Sequence, residues 1–224
     1  MAKSAMTDEQ LKERKKRALQ MIKILEKLFP EAHIALNFEN NWQLLIAVIL
    51  SAQCTDKKVN EVTQSLFQKY KTLDDYVNAN VLEFEKDIKP TGFYHTKAKN
   101  ILAAAKLVKE KWGGEVPRTM ENIMMLPGVA RKTANVVLGN AYGVRDGIAV
   151  DTHVRRLALK FDLTRHENPD KIEQDLLRII PKKYWFPFTY MLIDYGRSVC
   201  VRKKHPCKDH PLSKIFPPAA ERWF

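Results

Sequence analysis

Apolar residues recur at helical spacing along nearly the whole of this chain. Ala18, Ile22 and Leu25 fall on one face of a helix predicted over 11–29, whereas lysines occupy its other faces. The same periodicity predicts further helices over 42–52, 59–70, 75–86, 96–112, 120–126, 130–140, 151–161, 168–180 and 185–199. The β-branched residues fall within these helical patterns, so strand signals are nearly absent. The sequence therefore predicts an all-α fold.

The chain carries an excess of positive charge that is distributed along its length rather than confined to one tail. Its 224 residues include 38 Lys and Arg against 26 Asp and Glu, which gives a formal net charge of +12. This balance favours a polyanionic partner, and nucleic acid is the usual one. A solvated basic surface is the plain alternative.

Membrane and secretory signals are lacking in the sequence pattern. No stretch is apolar over the roughly 18 residues that a membrane span needs. The segment MAKSAMTDEQLKERKKR is charged and has no apolar signal core. Three cysteines are too few and too unevenly spaced for a disulfide framework. We therefore expect a cytoplasmic, nucleoid-associated protein without membrane contact.

The segment LPGVARK, from Leu126 to Lys132, lies between two predicted helices and indicates a tight hairpin. Gly128 permits a sharp turn and a close approach by another backbone. The amides that begin the second helix bind a phosphate readily, and Arg131 and Lys132 add positive charge there. Such a hairpin binds the phosphates of the DNA backbone independently of the base sequence. The alternative is an ordinary turn between two helices.

Two residues suggest chemistry beyond binding. The amine of Lys132 is either a phosphate contact or a nucleophile that attacks the sugar C1′ of a damaged nucleotide and displaces its base. That reaction also needs a carboxylate to stabilise the positive charge that develops on the sugar. Asp151 is a candidate, but it stands directly before a helical pattern, so its alternative role is an N-cap.

Taken together, the chain resembles the endonuclease III family of helix–hairpin–helix DNA glycosylases. Two stretches that follow one another carry most of the similarity, LPGVARKTANVVLGNAYG and IAVDTHVRRLALKF. Upstream, LLIAVILSAQCTD and KPTGFYHTKAKNI also match the family pattern. The similarity covers roughly residues 32–207, and four motifs in the same order make it highly specific.

The resemblance implies an architecture of two helical domains. A central domain, residues 34–142, would carry the helix–hairpin–helix motif. The second domain would be built from both termini, residues 1–33 and 143–224. A monomer would hold double-stranded DNA that contains a damaged base or abasic site in the cleft between them, with the damaged nucleotide flipped out of the duplex.

The resemblance also assigns roles to single residues. The catalytic lysine of the family falls on Lys132 and its catalytic aspartate on Asp151. The phosphate contacts of its hairpin correspond to Gly128, Val129 and Ala130, with Arg131 adjacent. Gln53 corresponds to the residue that fills the space of the flipped base, and Phe93 to the residue that wedges into the duplex. Core packing is the alternative role of Phe93.

Two departures from the family pattern qualify these expectations. Met124 stands where the family commonly has a Glu shortly before the hairpin, which leaves the lesion range open. The family also binds a four-iron–four-sulfur cluster through cysteines spaced C-x6-C-x2-C-x5-C. Here Cys200 and Cys207 keep the first spacing, but His210 and Phe216 occupy the other two positions.

We therefore expect no iron–sulfur cluster, because a cubane needs four good ligands. Zinc at Cys200, His205, Cys207 and His210 is conceivable, but the short spacing between His205 and Cys207 strains a tetrahedron. We expect no metal, and expect packing to hold the segment 200–216, through Ile215, Phe216, Trp223 and Phe224.

The predicted function is that of a bifunctional DNA glycosylase and abasic-site lyase of base excision repair, acting on oxidised pyrimidines such as thymine glycol. One alternative is a monofunctional glycosylase of the same superfamily, but those enzymes lack the hairpin lysine. Another is a non-catalytic DNA-binding relative. A metal-dependent nuclease would need clustered carboxylates, and none lie near the hairpin in sequence.

Overall fold

The computed structural model describes residues 7–223, and these form helices connected by turns and loops, with no strand. The prediction of an all-α fold is confirmed. The helices are α1 (Asp8–Leu28), α2 (Asn41–Leu50), α3 (Asp56–Lys69), α4 (Leu73–Val77), α5 (Val81–Ile88), α6 (Tyr94–Trp112), α7 (Met120–Ile123), α8 (Arg131–Tyr142), α9 (Thr152–Lys160), α10 (Pro169–Ile179) and α11 (Trp185–Ser198). Short 3₁₀ helices span Lys89–Thr91, Lys182–Tyr184 and Pro217–Glu221. None of the helices in this range combines the length and the apolar character that crossing a bilayer requires.

The chain divides into two compact units. The central unit comprises Ile34–Asp146, and the terminal unit comprises Met1–His33 together with Gly147–Phe224. In the central unit, α2 packs against α6 and α8, and every residue from Gln43 to Leu50 is buried. A nearly continuous apolar sequence is what a helix buried on all sides requires. In the terminal unit, α1 packs against α10 and α11, and α9 packs against α11.

Polar side chains fix where most of the helices begin. The side chain of Asn40 accepts from Gln43 N at the start of α2, and that of Asn168 accepts from the first amides of α10. Such caps satisfy amides that have no partner within the helix. They also explain one wrong prediction, because residues 75–86 form two helices and not one. Asn80 interrupts the pattern by capping α5 through Leu82 N and Glu83 N.

The segment after α11 is held partly by aromatic packing. Ile215 and Phe216 pack against the core of the terminal unit. The guanidinium carbon of Arg17 lies 4.0 Å from the centre of the Phe216 ring, and Trp223 stacks edge-on against His205 at 5.1 Å. The fourth residue expected in this packing, Phe224, lies outside the described residues.

Candidate active site

The hairpin between α7 and α8 is built around one glycine. Gly128 has φ +82°, a left-handed conformation that residues with a Cβ rarely adopt. A Cβ at this position would also lie 3.0 Å from Cβ and Nδ2 of Asn100 on α6. The turn is closed by Val129 N, which donates to Leu126 O at 3.1 Å. Both the backbone conformation and the close approach of α6 therefore require glycine here.

Helix α8 begins without a side-chain cap. Its N-cap residue is Ala130, which is exposed and has no side chain able to accept a hydrogen bond. Arg131 and Lys132 are the first two residues of the helix, and the Lys132 side chain is exposed. The positive end of a helix, left open and flanked by cationic side chains, suits an anionic ligand.

Helix α9 begins in the opposite way. Asp151 is its N-cap, and Oδ1 accepts from Val154 N at 2.8 Å. The cap role weighed for this residue is therefore present in the structure. The bond uses one carboxylate oxygen and fixes the orientation of the group. Lys132 belongs to the central unit and Asp151 to the terminal unit.

Gln53 and Phe93 share an uncommon backbone conformation. Their φ angles are +53° and +49°, and Asp162 is the one other non-glycine residue in the described range with positive φ. Residues held in this region cluster at functional sites, where the surrounding structure compensates the strain. The Phe93 side chain is 65% exposed, which excludes core packing. It lies directly after Gly92 at the start of α6.

Lys97 connects the loops that carry these two residues, and the sequence interpretation missed it. Its side chain is buried, and Nζ donates to Leu50 O at 2.8 Å and to Thr91 O at 2.9 Å. Leu50 ends α2 just before Gln53, and Thr91 precedes Phe93 by two residues. One sequence signal was available: Lys97 occupies the buried face of α6 that continues through Ile101 and Val108.

Two methionines expose apolar surface beside the hairpin. Met124 is 43% exposed and Met125 is 48% exposed, and both lie between α7 and Leu126. Met124 occupies the position where a Glu was expected from the family pattern. These two side chains therefore contribute exposed apolar surface next to the hairpin in the sequence.

The four positions that correspond to cluster ligands do not fit an iron–sulfur cluster. Cys200 is buried, but the thiol of Cys207 donates to Ala220 O at 3.5 Å. Phe216 offers no donor atom, and its ring is packed beneath Arg17. The structure instead groups Cys200, His205 and His210, which could hold a metal ion. Within residues 7–223 this is the one such group, so no carboxylate cluster supports a metal-dependent nuclease.

Comparison with known proteins settles the family. Residues 46–182 match the family described as HhH-GPD superfamily base excision DNA repair protein. Endonuclease III of Synechocystis sp. is 45% identical over 206 residues, which cover 92% of this chain and 94% of that protein. The chain belongs to the endonuclease III family. The family predicted from the sequence motifs is thereby confirmed.

Further relatives agree with this assignment. Endonuclease III of Bacillus subtilis is 45% identical, with 84% of this chain and 86% of that protein covered. The fold also matches the endonuclease III of a solved non-covalent complex with DNA, with a TM-score of 0.87 and 41% identity. That match covers 93% of this chain and 97% of that one. A trapped covalent endonuclease III–DNA intermediate matches with the same TM-score and identity.

Proposed function

We propose that Lys132 is the nucleophile and Asp151 its carboxylate partner in this family member, a bifunctional DNA glycosylase and abasic-site lyase of base excision repair. The observation that carries the proposal is the start of α8. It presents an exposed lysine on an uncapped helix end directly after a glycine hairpin. Phosphate binding at the helix end would bring the damaged strand to the amine.

The reaction follows from the chemistry of a primary amine. The uncharged Lys132 Nζ forms a bond to C1′ as the bond from C1′ to the base breaks, and the base leaves with the electron pair and a proton. Opening of the sugar ring gives an iminium ion between Nζ and C1′. Loss of a proton from C2′ then expels the 3′ phosphate. That elimination is the nick, and water then hydrolyses the bond between C1′ and Nζ, which releases the lysine and leaves an aldehyde on the sugar.

Asp151 supports the first step by its charge. A carboxylate near the sugar stabilises the positive charge that grows on C1′ as the base departs. Its bond to Val154 N keeps it in one orientation, so less reorganisation is needed when charge develops. The helix cap and the catalytic role are therefore compatible in one residue.

Gln53 and Phe93 act on the duplex. Phe93 enters the base stack, and Gln53 takes the space that the extruded nucleotide leaves. The exposure of the Phe93 ring and the positive φ of both residues support this role. The hydrogen bonds of Lys97 tie the two loops together, so both insertions are presented from one rigid base.

The partner is double-stranded DNA with an oxidised pyrimidine or an abasic site, bound by a monomer. The net charge of +12 and the proposed phosphate-binding hairpin support a DNA partner, so we expect the protein to be nucleoid-associated. Met124 presents an exposed, uncharged side chain where the family commonly has a Glu.

A panel of duplexes with a single lesion tests the function. Wild-type protein should release thymine glycol and nick the same strand, and should nick an abasic site, while leaving undamaged DNA intact. Base release without a nick would favour a monofunctional glycosylase. Binding to abasic DNA without release or cleavage would favour a non-catalytic relative.

A further inference from the structure

Three side chains with metal-binding atoms converge in the segment after α11. Cys200, His205 and His210 each direct one ligand atom into the same space, and these atoms all lie within 4.8 Å of one another. The residues follow one another at regular intervals, with four residues between each pair. The segment that carries the two histidines contains no helix of its own, so local secondary structure does not explain their convergence.

The ring of His205 is oriented by the backbone. Its Nδ1 lies 2.7 Å from Lys203 O, and since a carbonyl can only accept, Nδ1 donates. In the neutral ring the lone pair then belongs to Nε2. That atom is buried and has no hydrogen-bond partner among residues 7–223. A histidine held through one nitrogen by a carbonyl, with the other nitrogen directed inward, is the usual arrangement of a metal ligand.

His210 also has a buried ring nitrogen without a partner among the described residues. Its Nδ1 is also buried without a hydrogen-bond partner in the described part of the chain. The rings of His205 and His210 are stacked, with centres 5.0 Å apart and planes inclined by 26°. Buried polar atoms are almost always paired in folded proteins. Two unpaired imidazole nitrogens on neighbouring stacked rings leave lone pairs available to a shared partner, and a metal ion is one such partner.

Cys200 completes the group with a softer donor. Its side chain is buried, and Arg156 Nη1 lies 3.7 Å from Sγ, where its N–H donates to the sulfur. Arg156 also donates to Cys200 O at 2.6 Å, so the guanidinium is fixed beside this residue. A metal ion binds the thiolate and displaces its proton, and a neighbouring N–H donor stabilises the charged sulfur.

We propose that Cys200, His205 and His210 bind a single zinc ion that fastens the segment after α11 to the terminal unit. One thiolate and two imidazoles form a donor set typical of zinc. In a tetrahedral site with bonds of about 2.0–2.3 Å the ligand atoms lie roughly 3.3–3.7 Å apart, so small side-chain rotations close the site.

Water takes the fourth position, because the Cys207 thiol is engaged with Ala220 O. This arrangement avoids the difficulty seen in the sequence. A tetrahedron that includes both His205 and Cys207 is strained by their short spacing, but the group found in the structure does not include Cys207. The site also differs from a cubane cluster, since it needs neither Cys207 nor a donor at position 216.

Metal content of the untagged full-length protein tests the proposal directly. After dialysis against a zinc salt and then against zinc-free buffer, inductively coupled plasma mass spectrometry should find about one zinc per chain and no stoichiometric iron. Cobalt(II) added to the chelator-treated protein should give the visible absorption of a tetrahedral site, together with a thiolate-to-cobalt charge-transfer band. Both readouts use wild-type protein and do not depend on the folding of any variant.

Variants then define the ligand set. Cys200→Ser, His205→Ala and His210→Ala should each lose most of the bound zinc, and Cys200→Ser should abolish the charge-transfer band. Cys54→Ser and His166→Ala are matched controls on residues outside the group and should keep the metal. Cys207→Ser should also keep it.

Three results would overturn the proposal. The first is wild-type protein with less than roughly one zinc per five chains after loading. The second is zinc content in the three ligand variants equal to that of the controls, or an equal loss in Cys207→Ser. The third is stoichiometric iron with acid-labile sulfide. None of these measurements involves DNA, so the outcome is independent of the catalytic roles of Lys132 and Asp151.

Discussion

Helices α8 and α9 begin in opposite ways, and both beginnings carry a residue proposed to be catalytic. At α9, Asp151 caps the helix through Val154 N. At α8, Ala130 provides no cap, and the exposed Lys132 lies in the first turn. The backbone of Ala130 has φ −90° and ψ 170°, the extended conformation that a capping residue uses. A serine or aspartate would fit there, so the uncapped start of α8 is a property of the side chain and not of the backbone.

The comparison shows that the start of a helix can either be stabilised by a cap or be left for a ligand. An N-cap of the usual kind stabilises a protein by about 1 kcal/mol. Helix α8 has no side-chain cap and forgoes that stabilisation, and in our proposal its start binds a phosphate instead. Helix α9 takes the stabilisation and, in our proposal, uses the same carboxylate in catalysis. Substitutions at the two helix starts should therefore separate stability from activity in different ways.

The largest effect is expected at Lys132. Lys132→Ala should lower strand cleavage at an abasic site by roughly 10³-fold or more, because the nucleophile is removed. Lys132→Arg keeps the positive charge without a nucleophilic amine, so it should bind DNA like wild type and cleave as poorly as the alanine variant. Single-turnover cleavage and binding by fluorescence anisotropy are the measurements. Full cleavage by Lys132→Arg would reduce this residue to a phosphate contact.

Two substitutions of Asp151 separate its role as a helix cap from the role of its negative charge. Asp151→Asn retains a capping side chain, so stability should change by less than about 0.5 kcal/mol while base release falls on the order of 10²-fold. Asp151→Ala should lose the same activity and in addition about 1 kcal/mol of stability. Urea denaturation and single-turnover base release measure the two effects. Unchanged base release in Asp151→Asn would leave this residue only its structural role.

At Ala130 a helix cap can be added, whereas at Asp151 it is removed. Ala130→Asp should add a cap and raise stability by about 1 kcal/mol. It should also weaken binding to abasic DNA by roughly tenfold at low salt, because the carboxylate occupies the phosphate position and repels it. Ala130→Ser adds a cap without the charge and serves as the control. If Ala130→Asp bound DNA as well as Ala130→Ser at low ionic strength, the start of α8 would not be a phosphate site.

Phe93 extends the comparison to α6, which also begins without a side-chain cap. Phe93→Asn should raise stability by about 1 kcal/mol, since asparagine tolerates positive φ better than phenylalanine. It should also slow release of thymine glycol by several-fold through loss of the stacked ring, on the order of 1 kcal/mol. Thermal denaturation and base-release rates test the two parts. A slower rate together with lower stability would contradict this account, because the rate would then fall with the folded population and not through loss of the stacked ring.

Most of the helices could be predicted from the sequence because their apolar spacing is regular. The wrong prediction, one helix over 75–86, arose where Asn80 begins a new helix inside a pattern that still looks periodic. The hairpin was predictable from a single residue and not from a periodic pattern, since Gly128 marks a conformation that few other residues adopt. Local signals of this kind do not depend on distant parts of the chain.

Long-range pairings were not predictable in the same way. The hydrogen bond from Lys97 to Leu50 O joins residues 47 positions apart. Neither segment contains a sequence pattern that predicts contact with the other. The grouping of Cys200 with two histidines depends on the course of an irregular segment that has no periodicity to read. The sequence suggested a four-residue set that included Cys207, whereas the structure pairs that thiol with Ala220.

The central claim is that the amine of Lys132 forms the covalent bond to DNA. Wild-type protein mixed with a thymine glycol duplex and reduced with borohydride should give a stable adduct. After digestion of the DNA, peptide mass spectrometry should place the sugar remnant on Lys132, and Lys132→Arg should give no adduct. A remnant on another lysine or on the N-terminal amine, with Lys132 unmodified, would contradict the account.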